Sequence, residues 1–264
     1  MADQEQKAER FRALHDGAAF IIPNPWDAGS AKALEAMGFQ ALATTSSGFA
    51  FTLGRADGAA TLDEVIDHVG LLDHATSLPI SVDLENGHGS EPEHAAVAVT
   101  RAAEAGAVGG SIEDYDPVDG LYGVDHAVER VVAACEAARR LSFPFMLTAR
   151  AENHIRGNPD LDDTVARLQA YERAGADVLY APGLRNGEEI RAACQATTKP
   201  VNVLAHAGLS MSEIVDAGAR RVSVGGSLAW VAAAAMAAAA EQMRDSGDFS
   251  ALRVRVPVDE WLRG

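Results

Sequence analysis

Asp83 and Glu85 stand two residues apart at the end of the short apolar run 79–82, and on an extended segment residues two apart point to the same side. Glu113 closes a second such run, 108–112, and Arg150 follows a third, 143–148. Three carboxylates aimed at one small volume repel one another and raise one another's pKa, and a divalent cation removes that conflict. Oxygen donors without a cysteine or histidine cluster favour Mg²⁺ or Mn²⁺ over Zn²⁺. Mg²⁺ takes one or two carboxylates directly and reaches the rest through its waters. Arg150 adds the planar positive fork that a carboxylate or phosphonate substrate needs. A lone Asp-x-Glu after a strand is more often a turn former or a salt-bridge partner. Its convergence with Glu113 and Arg150 makes it a candidate site.

Further polar residues follow the other apolar runs. Asn24, Trp26 and Asp27 come after the first, with Trp26 a substrate-side candidate and Asp27 either a helix cap or a substrate-side group. Thr44, Thr45, Ser46 and Ser47 come after the second, and a loop carrying Asp57 comes next. His88, His154 and His206 follow the third, fifth and seventh runs, which makes each a candidate for proton transfer, His88 and His206 foremost. The remaining histidines, His15, His68, His74, His94 and His126, fall on helical or outer segments and are expected in solvent. Asp114, next to Glu113, points the other way and is expected to be structural. Cys135 and Cys194 lie within helical patterns and are not nucleophiles. Gly225-Gly226-Ser227 occupies a place where many barrels bind phosphate, but with no basic neighbour in that segment it reads as close packing.

The elements that position these residues repeat one unit: a short apolar run, a polar loop, then a helical pattern. Eight runs occur, at 18–22, 41–45, 79–82, 108–112, 143–148, 177–180, 200–205 and 221–224. They lack clean alternation, as parallel strands buried on both faces do. Leu62, Val65, Ile66, Val69 and Leu72 recur at helical spacing, as do Val124, Val128, Val131, Val132 and Cys135. Thr61 and Ser210 read as helix caps, each with a glutamate three residues on. Eight such units in 264 residues predict a (β/α)8 barrel filling one domain, 1–264, with its active site at the carboxyl ends of the strands. A doubly wound sheet uses the same units, but Pro23-Asn24-Pro25-Trp26 stands where its glycine fingerprint would be.

Composition excludes several classes. Lys+Arg 22 against Asp+Glu 38 gives a net charge of −16, which repels nucleic acid and anionic lipid. The start of the chain lacks the order of a signal peptide, and the most apolar stretch, 228–240, is too short to span a bilayer. Two cysteines make no disulfide framework. A cytoplasmic location is therefore expected.

The segments Asn24-Pro25-Trp26-Asp27-Ala28-Gly29-Ser30-Ala31, Gly54-Arg55-Ala56-Asp57, Asp83-Leu84-Glu85-Asn86-Gly87-His88-Gly89, Ser111-Ile112-Glu113-Asp114 and Thr148-Ala149-Arg150 resemble, in that order, the isocitrate lyase/phosphoenolpyruvate mutase superfamily. The resemblance implies a barrel whose eighth helix is often exchanged between subunits of a homodimer or homotetramer. It implies Mg²⁺ and 2-oxo or 2-hydroxy acid substrates passing through enolate-like intermediates. By position it makes Asp83 the direct metal ligand, with Asp57, Glu85 and Glu113 holding the waters. Thr45, Ser46 and Ser47 would bind the substrate carboxylate, and Arg150 would pair with developing negative charge.

The chain also departs from that pattern. The lyase loop cysteine is missing from Tyr115-Asp116-Pro117-Val118-Asp119-Gly120-Leu121-Tyr122-Gly123, and so is the loop asparagine of the phosphonate enzymes. Glu85 replaces an aspartate, and Gly87-His88-Gly89 replaces Gly-Tyr-Gly. The expectation is a Mg²⁺-dependent lyase cleaving a C–C bond of a small 2-oxo or 2-hydroxy acid, by decarboxylation or retro-aldol cleavage. Phosphonopyruvate P–C chemistry and a non-catalytic barrel that binds a 2-oxo acid are the alternatives.

Overall fold

In a computed structural model, which describes residues 3–262, the eight apolar runs become eight parallel strands. The strands in chain order are β1 (Phe20–Ile22), β2 (Leu42–Ala43), β3 (Ile80–Asp83), β4 (Gly109–Glu113), β5 (Tyr115–Asp116), β6 (Gly120–Leu121), β7 (Met146–Arg150), β8 (Val178–Tyr180), β9 (Val201–Leu204) and β10 (Arg221–Ser223). One sheet runs β1-β10-β9-β8-β7-β4-β3-β2. The Ala43 N–H donates to the Pro23 carbonyl oxygen at 3.0 Å and draws its two edges together. The result is a nearly closed α/β barrel.

The helices are α1 (Gln4–Asp16), α2 (Ala28–Ala36), α3 (Ser46–Thr52), α4 (Leu62–Ala75), α5 (Pro92–Glu104), α6 (Val124–Arg139), α7 (Leu161–Ala174), α8 (Gly187–Gln195), α9 (Met211–Asp216), α10 (Ser227–Ser246) and α11 (Val258–Trp261). Thr61 and Ser210 begin α4 and α9 with reciprocal capping boxes, as their spacing predicts. The main core lies between the strands and α4 to α9, where Val69, Val99, Leu168 and Ile190 are fully buried. A second cluster closes the amino end of the barrel. There Phe11 of α1 packs with Phe20, Val108 and Met146. Gly109 makes room for it, since a Cβ at that position would lie 2.7 Å from the Phe11 ring.

Two segments differ from expectation. The loop after β4 carries an antiparallel hairpin, β5 with β6, that the sequence pattern does not announce. Asp116 holds it, accepting from the Val118 N–H at 2.8 Å and from Asn86 Nδ2 at 3.0 Å. His15 and His68 are buried rather than solvated, because the helix faces that carry them turn inward. His15 sits edge-on to Phe11 and Phe20, and His68 stacks on Phe49 with ring centroids 4.0 Å apart. A neutral imidazole packs there as one more aromatic ring.

α10 is 20 residues long, yet Ala229 alone among them is buried. Val231 and Met236 are 66% and 64% exposed. Among the described residues, no helix is long and apolar enough to cross a membrane.

Candidate active site

A cavity of about 170 Å³ opens among the carboxyl ends of the strands and runs down into the barrel. Asp83 and Arg150 form one side of its mouth, and Thr45, Ser46, Ser47 and Asp57 form another. Small residues keep it open: Ala43, Ser81, Ser111 and Ser223 stand where a packed barrel would carry branched side chains.

Asp83 is held in place from two sides. Its N–H donates to Thr44 Oγ1 at 2.8 Å, and its Oδ1 accepts from the Glu85 N–H at 3.2 Å and from Ser111 Oγ at 3.3 Å. Arg150, level with Glu113 across the β4–β7 ladder, brings Nη1 to 3.2 Å from Glu113 Oε2 and 3.6 Å from Asp83 Oδ1. Its guanidinium lies 5.4 Å from the centre of the Tyr180 ring. Arg150 therefore lies within ion-pair reach of both Asp83 and Glu113.

Glu85 arrives by a different route from the one expected. β3 ends at Asp83, and Glu85 adopts φ 51°, a left-handed conformation that costs a non-glycine residue about 1 kcal/mol or more. The extended-strand argument for a shared side does not apply, because the chain turns. The turn still leaves Glu85 at the cavity's outer part beside Asp57, Glu113 and Arg156. Glu85 Oε1 is buried there without a hydrogen-bond partner. Burial, with Asp83 and Asp57 nearby, pushes the Glu85 carboxyl up to about 7. Burial likewise holds Glu113 well above the usual carboxylate range, against the pull of Arg150.

The other expected residues divide. Thr45 caps α3, and its Oγ1 lies 3.2 Å from Ser47 Oγ. His88 lines an adjoining pocket with Glu85 and Glu113, at φ 59° and with Nε2 buried and unpartnered. His206 does not reach the cavity: it is exposed, and Nδ1 accepts from the Gly208 N–H at 3.0 Å. His154 is turned toward α7 and α8, with Nδ1 3.1 Å from Thr164 Oγ1 and Nε2 3.6 Å from Glu189. Trp26 is absent from the cavity wall and packs on α3, where a Cβ added to Gly48 would lie 3.1 Å from Trp26 Cβ. Asp27 is a cap, accepting from the Ser30 N–H at 2.7 Å at the start of α2. Asp114 points outward into a buried network, accepting from Arg167 Nη1 at 2.9 Å, from the Tyr171 hydroxyl and from the Glu152 N–H.

Three residues escaped the sequence reading. Glu152, fully buried, accepts from Arg150 Nε and, at 2.8 Å, from Arg156 Nε. Arg156 lies over the Tyr115 ring at 3.9 Å and reaches Glu113 at 3.5 Å. Arg221, the first residue of β10, points into the barrel and lines the cavity floor. The sequence signal for each was only a charged residue on or just past a strand, which is common outside active sites.

A divalent cation fits this donor set. Asp57, Asp83, Glu85, Glu113 and Glu152 face the two guanidinium groups of Arg150 and Arg156, an excess of acid beside an unpartnered carboxylate oxygen. Among the described residues, no three carboxylate, histidine or cysteine side chains close on one point. An ion taking Asp83 directly and completing its shell with water, as Mg²⁺ does, suits that spacing better than Zn²⁺ in a full protein cage.

Comparison with known proteins places the chain in a family. The family described as phosphoenolpyruvate phosphomutase matches residues 11–244. An uncharacterised protein of Mycobacterium tuberculosis (strain H37Rv) is 31% identical over 93% of this chain and 92% of its own. The oxaloacetate decarboxylase of Bradyrhizobium sp. BTAi1 is 30% identical over 83% of this chain and 77% of its own. A solved structure from Burkholderia cenocepacia J2315, provisionally classed as a lyase/mutase, is 50% identical, with a TM-score of 0.96, and covers 99% of this chain and 97% of its own.

Proposed function

Because the chain belongs to the phosphoenolpyruvate phosphomutase family, within the isocitrate lyase/phosphoenolpyruvate mutase superfamily, we propose that it is a Mg²⁺-dependent lyase cleaving a C–C bond of a small 2-oxo or 2-hydroxy acid. The observation that carries this reading is the meeting of Asp83, Glu113 and Arg150 at the mouth of a polar cavity, with Glu85 Oε1 buried and unpaired beside them. Mg²⁺ bound there supplies a Lewis-acid charge for the 2-oxo carboxylate.

The protein's own groups do the rest. Asp83 holds the ion directly, Mn²⁺ being an alternative occupant, while Asp57, Glu85 and Glu113 orient its waters. Thr45, Ser46 and Ser47 offer hydroxyl and backbone donors to the substrate carboxylate at the start of α3. Arg150, fixed by Glu152 and backed by Tyr180, presents a positive fork to the oxygen on which charge develops. Decarboxylation of an oxaloacetate-like acid needs no strong base to begin, which suits a site without a lyase cysteine. His88, with its free buried Nε2 near Glu85, is the proton carrier this reading names. His206 is left out because it stands in solvent.

The whole chain, 1–264, works in this reading as one cytoplasmic barrel unit. The exposed apolar face of α10 packs in a homodimer or homotetramer, with exchange of that helix between subunits. Assaying oxaloacetate and related 2-oxo and 2-hydroxy acids with and without EDTA tests the activity. Turnover abolished by chelator and restored by Mg²⁺ supports it, and turnover indifferent to chelator on every active substrate rejects it. Turnover of phosphonopyruvate alone, followed by phosphorus NMR, would move the assignment to P–C chemistry. Binding without turnover of any acid would leave a sensor.

A further inference from the structure

Arg221 is a buried cation with no anion. It is 4% exposed, and its hydrogen bonds all go to neutral acceptors. Nε donates to Asn202 Oδ1 at 2.9 Å, Nη2 to Thr148 Oγ1 at 2.8 Å, and Nη1 lies 3.3 Å from His15 Nε2. His15 is neutral in this contact. Its Nδ1 lies 2.8 Å from the Phe11 carbonyl oxygen and must carry the proton, so Nε2 presents a lone pair to the guanidinium. Among the described residues no carboxylate pairs with Arg221, whereas Arg150 in the same cavity has three.

An ionised side chain withdrawn from water without a counter-ion is costly, and structures keep such a group where something else repays the cost. Arg221 lines the cavity together with Asn24, Tyr180, Asn202 and Ser223. Three of its five N–H groups are engaged, so two remain to donate. The floor lies close below the metal side: Thr148, which Arg221 holds, is in register with Ser111, and Ser111 Oγ donates to Asp83 Oδ1.

We propose that Arg221 determines the charge of the substrate's far end: the acid carries a second carboxylate, which descends between the strands and pairs with this guanidinium on the cavity floor. The inference rests on the reading above, in which the first carboxylate and its 2-oxygen stay at the Asp83 end. It narrows the substrate class to short 2-oxo or 2-hydroxy dicarboxylic acids, and it makes the corresponding monocarboxylic acids poor ligands. A purely structural Arg221 would tie α1 to the barrel and affect stability without affecting that choice.

Calorimetric titration of the full chain in Mg²⁺ with oxalate, lactate and malate separates these cases. Oxalate spans only the metal end, while lactate and malate differ by the second carboxylate. The protein should bind oxalate and prefer malate to lactate by about tenfold, the worth of a charge-assisted pair. Arg221→Lys should keep that preference, and Arg221→Gln should erase it while leaving oxalate affinity unchanged. If the Gln variant does not fold, Asn202→Asp serves instead: it sets a carboxylate against Arg221 Nε and should likewise erase the preference. Equal binding of malate and lactate by the native chain overturns the inference, as does a preference that survives Arg221→Gln or Asn202→Asp. Failure of oxalate to bind at all overturns the metal-site reading beneath it.

Discussion

Glu152 and Arg150, two residues apart on the segment leaving β7, face each other as a buried ion pair through Arg150 Nε. The second oxygen of Glu152 holds Arg156 at 2.8 Å, so one carboxylate aligns the guanidinium groups of Arg150 and Arg156. Its own N–H is anchored on Asp114 Oδ1 at 2.7 Å, which ties the site to the network under α7. Glu152 thus acts through Arg150 as a positioning residue.

Replacing Glu152 with Gln should keep the shape and one acceptor while removing the charge that fixes Arg150. The expected loss in kcat is about 10- to 100-fold, the usual effect of a group supporting a ligand or substrate anchor. KM should change little, since Arg150 pairs with charge that develops only after the acid is bound. Steady-state kinetics on whichever acid turns over checks this, and a variant with native kcat would remove Glu152 from the account.

Asp114 carries a separate, structural consequence. Asp114→Asn leaves Arg167 with Asp163 as its one remaining acid and takes the anion away from the Tyr171 hydroxyl. Breaking a buried pair on one side costs about 3 kcal/mol. Urea unfolding should report a loss of that order. An unchanged midpoint would show that the network contributes nothing to stability.

The buried histidines predict an acid limit to stability. Burial lowers His68 to about 4, with Asp27 pulling the other way, and His15 is lowered to about 4 by burial and Arg221. The unfolded chain takes up these protons first as pH falls through the ordinary histidine value of about 6.5. Stability from keeping each ring neutral is therefore complete above that value and is lost as pH falls toward 4, where the folded rings titrate. At about pH 5 the loss is about 2 kcal/mol per ring. His68→Phe keeps the stack on Phe49 and removes the titration, so its urea midpoint should fall less than that of the native chain between neutral pH and about pH 5. Parallel pH dependences in the two proteins would contradict the assignment.

The barrel was legible from residues 18–224 because parallel strands buried on both faces read as short apolar runs, and each of the eight became a strand. Asp83, Glu113 and Arg150 were legible for the same reason, each standing at the end of such a run. Glu152, Arg156 and Arg221 were not. A charged residue near a strand carries no mark of whether it faces solvent, a partner or the barrel interior. Arg221 sits at the start of its strand, away from the end where barrel chemistry is sought, and its long side chain makes up the difference. His15 and His68 misled in the opposite direction, because position on a helix says nothing of which face a neutral ring will take.

α10 offers a test of assembly. Its exposed Val231 and Met236, together with Leu252 and Val254 beyond the helix, leave an apolar surface that a single barrel does not cover. Light scattering on the eluted protein should give the mass of a dimer or tetramer, and Val231→Asp should reduce it to that of one chain. A native chain that elutes as a monomer would contradict the subunit packing proposed here.

The central claim is a divalent cation held by Asp83 that binds the acid through its 2-oxo carboxylate end. Titrating oxalate into the native chain and into Asp83→Asn, each in Mg²⁺ and in EDTA, tests it most directly. The account predicts binding by the native chain in Mg²⁺ alone. Binding that persists in EDTA, or that Asp83→Asn leaves intact, would contradict it.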